Sequence, residues 1–523
     1  MPERRVFVVA VLTLLPLFWA LSALAEMIVD TAWVRTYDGE GGYDFAEAIA
    51  VDGSGNVYVT GEVSDSTFSF DYATMKYYPN GDTAWVRIYN GPGDGWDIVS
   101  GTAVDNWSNV YVTGSTWDST TRDDNTTIKY HPDGDTGWVR RYDGPAGLGD
   151  YAYAITVDES GYVYTTGCSY DTATYSGSNS NYVTIKYYPG GDTAWVRRYN
   201  GPGSSNDIAR AIAVDGLGNV YVSGASKSRE AFEDYATIKY YANGDTAWVR
   251  RYDGPANLRD EAFSIDVDGS GNVGVTGWSW NGTDYDYATI KYYPNGDTAW
   301  VRRYDGLGHL LDSAVAVAMD AWGNVYVTGS SWITQTDCDY LTIKYSPNGD
   351  TSWVRRFDCP ANGVEHACAM AMDDAGNLYV AGTSNCLGVG HDYATMKYDS
   401  SGRELWVRRY NGPESYFDRA EAIAVDDYGN VYVTGISDNS GTRTDFVTVK
   451  YVQTGLWRGD ANVDGVIDLG DIVHLINYLY KNGPAPDPLI LGDCNCDQTV
   501  ELGDLVFLTN YLFRDGPPPD CWQ

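Results

Sequence analysis

The sequence predicts an all-β chain, an eight-bladed β-propeller closed by its own N-terminal strand, with a small α-helical domain at the C-terminus. Three observations predict it. A three-phrase repeat recurs eight times at a near-constant spacing. Each repeat holds four strand-like runs separated by turn signals. The mature chain opens on the last strand of a repeat, and the final repeat lacks that strand.

Residues 1–25 read as a secretory signal peptide. Arg4 and Arg5 give the positive start, Val6 to Leu21 is an uncharged apolar run, and Ala23-Leu24-Ala25 fits a small-x-small cleavage site. No other stretch is apolar enough to cross a membrane, so the expected location is extracellular, secreted or at the cell surface. The net charge of −36, from 71 acidic and 35 basic residues, argues against nucleic acid as a partner. A composition 43% hydrophobic and 14% aromatic supplies a large core rather than a disordered acidic tract. Eight cysteines are compatible with disulfides in an oxidising compartment; their connectivity does not follow from the sequence, and the local candidates are Cys359 with Cys368 and Cys496 with Cys521.

The first repeated phrase is typified by Ala48-Ile49-Ala50-Val51-Asp52-Gly53-Ser54-Gly55-Asn56-Val57-Tyr58-Val59-Thr60-Gly61. Its closing glycines, from Gly61 to Gly435, are 53, 53, 57, 53, 52, 53 and 53 residues apart, a period that means stacked supersecondary units. The second phrase is Asp71-Tyr72-Ala73-Thr74-Met75-Lys76-Tyr77 and the third is Thr83-Ala84-Trp85-Val86-Arg87. Strand A is AIAVD, B is NVYVTG, C is YATIKYY and D is TAWVRRY. The C–D connection reads as a hairpin with Asn80-Gly81 as a two-residue loop, which sets Lys76 opposite Trp85 and Thr74 opposite Arg87. The lysine stem is then expected to lie on the indole.

Four short antiparallel strands per unit fit propeller blades. Residues 30–37 supply a D strand without A, B or C, and the last repeat supplies A (422–426), B (430–435) and C (446–451) without D. A ring uses both ends at once, whereas an open solenoid leaves two exposed edges. The propeller is expected over residues 28–452. Its AVDxxGNVYVTG and DYATIKY phrases resemble the bacterial secreted β-propeller repeat family, and the resemblance implies fold rather than activity.

In such a blade the A–B and C–D turns share one face, and here they are short and uniform. The B–C and D–A loops share the other and vary, as in Cys168–Asn181, Ala225–Asp234, Trp278–Asp286 and Thr383–Asp392. Loop variation on a rigid scaffold is how binding surfaces arise. Single-copy aromatics gather there: Trp96, Trp117, Trp278, Trp280 and Trp332, with Tyr151, Tyr170 and Tyr416. They are candidates for stacking on carbohydrate or gripping a protein, against packing within the loops themselves. Of five histidines, His309, His366 and His391 fall on this face without metal spacing, and no catalytic motif is present. The aspartate of each VDxxGN turn, from Asp52 to Asp426, is expected to cap its own turn.

After a short spacer over 453–458 the sequence changes character. Asp460, Asn462, Asp464, Val466 (through its carbonyl), Asp468 and Asp471 have EF-hand-type calcium spacing, with Gly465 at the sharp turn. The pattern repeats with Asp493, Asn495, Asp497, Thr499, Glu501 and Asp504, and an apolar helix follows each loop, Ile472–Tyr480 and Leu505–Phe513. This duplicated loop–helix resembles type I dockerin, with the domain running over 459–523. The resemblance implies calcium at two sites and a cohesin-like partner. Gln498 replaces the position-six glycine of the second loop, a left-handed position that costs a side chain roughly 1–2 kcal/mol, so the second site is expected to be the weaker. Leu469-Gly470 and Leu502-Gly503 stand where cellulosomal dockerins often carry a Ser-Thr-type pair.

Together these features favour an exported, non-catalytic binding or structural propeller that a calcium-dependent module docks to a cohesin-type partner. The alternative is a carbohydrate-active enzyme, a glycoside hydrolase or polysaccharide lyase. Loop carboxylates converging with His309 or His366 around one cavity would favour the enzyme.

Overall fold

The structure, a computed structural model, describes residues 27–39, 42–65, 68–174, 177–203, 205–227, 232–359, 363–386, 390–413, 417–439, 443–457, 459–462, 467, 469–481, 483–486, 489–495 and 499–514. The expected signal peptide, 1–25, lies outside them. The chain divides into one compact unit, Val29–Gln453, and a second that contains Thr454–Gln523.

The first unit is an eight-bladed β-propeller. It consists of eight four-stranded sheets, seven of them in chain order A-B-C-D. The eighth joins A (Asp418–Val425), B (Val431–Asn439) and C (Arg443–Trp457) to a D strand from the start of the chain, Met27–Tyr37. The expected N-terminal closure is present. Residues 453–457, read as spacer, continue this C strand.

B and C strands are buried on both faces because each blade is sandwiched between two others, so their Val, Tyr, Ile and Thr runs are nearly continuous. The A strands of neighbouring blades contact one another around the axis. Every A strand bulges there: Ala46 pairs with Gly61 and Ala48 with Thr60, leaving Glu47 unpaired. The bulge explains the glycine that closes each first phrase, since a β-carbon on Gly61 would run into the Phe45 carbonyl.

Lys76 pairs with Trp85 and Thr74 with Arg87, as expected. The turn between them differs. Tyr78 N–H donates to the Asp82 carbonyl, so the loop is three residues, Pro79-Asn80-Gly81, with a register shift before it. A type I turn with a G1 bulge needs only one positive φ, which Gly81 supplies at +86°, and the Asn80 side chain accepts the Asp82 N–H at 3.0 Å.

The lysine expectation is also corrected. Lys76 Nζ lies 5.2 Å from the Tyr58 ring, and the cation over the Trp85 indole is Arg87, at 5.6 Å. Arg87 and Trp85 share a strand face, so the guanidinium reaches the indole without crossing strands. All three side chains then reach the next blade. Trp85 Nε1 and Lys76 Nζ donate to the Pro132 carbonyl at 3.1 and 2.9 Å, and Arg87 Nε donates to the Gly134 carbonyl at 2.7 Å. The repeated Trp-Val-Arg and Lys-Tyr phrases are therefore a latch between blades.

The ring closes with the same latch. Trp33 and Lys450, from opposite ends of the chain, donate to the Pro79 carbonyl at 3.1 and 3.0 Å, and Arg35 Nε donates to Gly81. Blade eight has no C–D turn to receive blade seven. There the Gln453 amide oxygen takes the bonds from Trp406 and Lys397, at 3.4 and 2.6 Å, and the Val29 carbonyl takes the Arg408 bond at 3.0 Å.

In the second unit helix α1 (Leu469–Lys481) and helix α2 (Leu502–Phe513) contact each other over a core of Ile472, Leu475, Cys494, Leu505 and Leu508.

Cys359 is disulfide-bonded to Cys386 rather than to the local candidate Cys368, with Cα atoms 5.0 Å apart. Cys368 sits at the axial bulge of its strand, whereas Cys359 and Cys386 occupy the adjoining D–A and B–C loops. Cys496 and Cys521 lie outside the described residues.

The clasp is an ordinary blade junction, so it should cost as much to break as one. Trp33→Ala is expected to lower the unfolding free energy by about 3–5 kcal/mol, and Trp300→Ala in an interior junction by the same amount, measured by urea unfolding.

Candidate functional site

Two groups of positions that differ between blades stand out on the propeller. The first is the axial ring of bulge residues: Glu47, Ser100, Tyr153, Arg210, Phe263, Val315, Cys368 and Glu421. Each is half-buried, and only across the seam, where Glu421 meets Glu47, does one repeat its neighbour. Arg210 lies 5.1 Å over the Tyr153 ring and pairs with the buried Glu261 at 3.0 Å. Across the ring's seam, Glu47 is pushed up to about 7 by burial and by the nearby Glu421. Glu421 is itself raised by burial, against the pull of Arg419. Sequence reasoning passed over this ring. Its signal was a variable residue set in an otherwise repeated Ala-x-Ala.

The second is the loop face, where the structure gathers some of the predicted tryptophans. Trp278 and Trp280 both meet Tyr285 edge-on, with ring centroids 4.0 and 4.7 Å apart. Arg259 lies 5.1 Å over the Trp278 ring and pairs with Glu261 at 3.2 Å. Trp278, Trp280, Tyr285, Arg259 and Arg210 therefore form one continuous patch through Glu261. Trp117 is covered by its own neighbourhood: a β-carbon on Gly93 or Gly95 would collide with its ring. Trp96 is 60% exposed and meets only Phe70 edge-on, at 5.6 Å. Trp332 packs on His366 at 5.8 Å. Tyr151 donates to Asp123 at 2.7 Å, and Tyr416 lies outside the described residues.

The histidines do not meet as a trio. His309 is exposed and bonded to Asp305 at 2.8 Å, which raises it. His366 is depressed by burial and by His391 nearby, and its Nδ1 contacts Ser330 Oγ at 3.0 Å. Asp337, Asp339, Asp358 and Glu365 converge in the same region, between blades six and seven. Two clefts, of about 360 and 640 Å³, lie on the opposite, turn face and contain no predicted site residue.

Each turn aspartate caps its own turn. Asp52 Oδ1 accepts the Ser54 and Asn56 N–H groups at 3.0 and 2.9 Å, and the arrangement recurs through Asp426.

In the second unit the two loops fold alike. Asn462 N–H donates to Asp471 Oδ1 at 3.1 Å, and Asn495 N–H donates to Asp504 Oδ1 at 3.0 Å. Both aspartates are fully buried, and Asp460 and Asp493 nearly so. Glu501 N–H also donates to Asp504, closing a capping box at the start of α2. Cys494 points into the helical core, away from the loop. Asp464, Val466, Asp468 and Asp497 lie outside the described residues. The helices expose matching apolar residues: Leu469, Val473 and Tyr480 on α1, and Leu502, Val506 and Phe513 on α2. Among the described residues no helix is long and apolar enough to cross a membrane.

A β-propeller joined to a duplicated acidic loop–helix unit is the class of protein this defines. Residues 458–513 match the type I dockerin domain, and residues 35–62 and 194–229 match a β-propeller repeat. Type I dockerin domains bind calcium and dock to cohesins. No curated protein matches the chain. Among solved structures, Sqt1 of Chaetomium thermophilum, bound to the N-terminus of a ribosomal protein, is 10% identical with a TM-score of 0.53. It covers 80% of this chain and 99% of its own, and shows the fold. Polysaccharide lyase Uly1 is 10% identical with a TM-score of 0.42, over 82% of this chain and 99% of its own.

The raised acids set the sign of the pH response. A carboxyl held above its ordinary value in the folded state favours folding when protonated, so stability falls as pH rises between the two values. For Glu47 that window runs from 4.5 to about 7. The melting temperature is expected to fall across it, and Glu47→Gln to flatten the slope, read by calorimetry at stepped pH.

Proposed function

We propose that this is an exported, non-catalytic recognition protein, a rigid propeller that its dockerin domain fixes through calcium to a cohesin-type partner at the cell surface or in a secreted complex. One observation carries the reading: the two acidic loops make the same Asn N–H to buried Asp bond in both halves. That bond folds each loop around its own last acid, as a calcium loop requires. Asp460, Asn462, Asp464, the Val466 carbonyl, Asp468 and Asp471 hold the first ion. Asp493, Asn495, Asp497, the Thr499 carbonyl, Glu501 and Asp504 hold the second, more weakly because of Gln498. The partner meets Leu469, Val473, Leu502 and Val506, so the contact is apolar where Ser-Thr pairs would make it polar.

The propeller presents carbohydrate with the patch around Tyr285. Trp280 offers a ring face for stacking on sugar, and Arg259, held in place by the buried Glu261, offers hydrogen bonds to hydroxyls. The acids and histidines nearest each other, between blades six and seven, lie away from this patch.

Two measurements test this. EDTA is expected to abolish capture of the intact protein on a panel of immobilised type I cohesins, with calcium restoring it, and Asp471→Ala to weaken capture about tenfold or more. Capture that persists in EDTA refutes the docking reading. On immobilised polysaccharides, Trp280→Ala is expected to reduce retention at least about fivefold, since one stacked aromatic contributes about 1 kcal/mol. Shortened sugar products would make the protein an enzyme instead.

A further inference from the structure

At each junction between blades, a carboxylate at the start of strand A meets the end of the preceding D strand. At seven junctions this group is an aspartate, and it accepts the N–H of a glycine: Gly39 to Asp44, Gly91 to Asp97, Gly144 to Asp150, and so on through Gly412 to Asp418. The junction between blades six and seven departs from this rule in three ways.

Cys359 stands where the glycine would be, and its sulfur is bonded to Cys386. The Ser384 hydroxyl, which in other blades faces the aspartate, lies 3.4 Å from Cys359 Sγ and contacts Cys386. Glu365 replaces the aspartate. It is fully buried, and it is the one carboxylate among the described residues with both oxygens buried and without a hydrogen-bond partner.

A further acid joins it. Asp337, Asp339, Asp358 and Glu365 each place a carboxylate oxygen within 4.8 Å of all the others. Asp337 Oδ1 and Asp339 Oδ1 are also buried and unpartnered. Arg356, bonded to Asp339 Oδ2 at 2.8 Å, is the one basic side chain paired with the group among the described residues. Four carboxylates and one guanidinium leave an excess of three negative charges. Burial pushes Glu365 up to about 7; Asp339, Asp358 and Asp337 push the same way, while the Asn385 N–H pulls it down, short of a hydrogen bond of normal geometry.

We propose that Asp337, Asp339, Asp358 and Glu365 bind a calcium ion that ties blade six to blade seven, a site separate from the dockerin loops. The dimensions fit. Calcium takes oxygen ligands at about 2.3–2.6 Å, so oxygens on opposite sides of one ion stand about 4.6–5.2 Å apart. Four carboxylates supply four to six oxygens, and the exposed side at Asp358 admits water to complete the shell. A hard divalent cation neutralises two of the three excess charges and gives the Glu365 carboxylate a partner, as the glycine N–H does for the aspartates at the other junctions.

The test uses the full chain carrying Asp471→Ala and Asp504→Ala, which disable both dockerin loops. Equilibrium dialysis against calcium alone, at about 1 mM, is expected to leave one ion per chain, and calcium to raise the melting temperature by several degrees. Adding Glu365→Gln is expected to abolish that ion. Should that buried change prevent folding, the exposed Asp358→Asn and half-buried Asp337→Asn are each expected to weaken binding about tenfold. No residual calcium, or residual calcium indifferent to these substitutions, overturns the proposal. Because the dockerin loops are already disabled, either result is independent of cohesin docking.

Discussion

The structure depends on one interaction, the latch in which Trp, Lys and Arg of one blade donate to the carbonyls of the next blade's C–D turn. It is demanding on both sides. The donor blade must present an indole, an ammonium and a guanidinium in register, which the Lys76–Trp85 pairing ensures. The acceptor must hold two carbonyls outward in a tight turn. It must also offer a glycine there, because a β-carbon on Gly81 would press within 2.7 Å of the Trp33 ring. This is why the third phrase and the Asn-Gly turn recur together: each is half of a contact whose other half lies about fifty residues away.

Uniformity at the rim pushes individuality elsewhere. Side chains committed to the latch are not free to vary, and neither are the B and C strands buried between blades. What remains free is the axial bulge, where one residue per blade escapes the ladder, and the loops opposite the turns. The bulge needs glycine on the facing strand, where a β-carbon on Gly61 would meet the Phe45 carbonyl. The same device thus recurs in every blade and carries a different residue in most of them, such as Arg210 and Glu47.

Much of this was legible in the sequence. The blade count, the strand order, the closing strand and the Lys76–Trp85 register all follow from repeat phase, which local pattern records directly. The partner of a cation does not. Lysine opposite tryptophan suggested a cross-strand contact, but Arg87, two residues along the same face, reaches the indole, and the lysine goes to Tyr58 and the neighbouring blade. Pattern within one repeat cannot reveal contacts made between repeats. The disulfide connectivity stayed open for a related reason. Cys368 is nearer to Cys359 in sequence, but it occupies the axial bulge, while Cys386, two residues past the end of its B strand, stands with its Cα 5.0 Å from that of Cys359. The clustering of Trp278 and Trp280 on Tyr285 needed the strand pairing in three dimensions, although both tryptophans stood out as single-copy residues.

A net charge of −36 invites the reading that this surface binds cations everywhere, and the hydrogen bonds argue otherwise. The turn aspartates, from Asp52 to Asp426, are satisfied by their own backbone N–H groups. The junction aspartates, from Asp44 to Asp418, take a glycine N–H. Acids such as Asp234 and Asp286 take an arginine of their own blade. The acids that recur in the turns and at the junctions are therefore each held by at least one donor, and acidity alone marks nothing. What marks a position is the loss of a donor that the other repeats keep. Between blades six and seven a cysteine stands where the glycine would be, and although it keeps a backbone N–H, Glu365 takes no bond from it. The disulfide closes the loop covalently, neither that N–H nor the serine hydroxyl serves the carboxylate, and a glutamate remains buried among three aspartates. In a protein built from repeats, the other blades serve as the internal reference for such a change, and Glu365 stands out against seven of them.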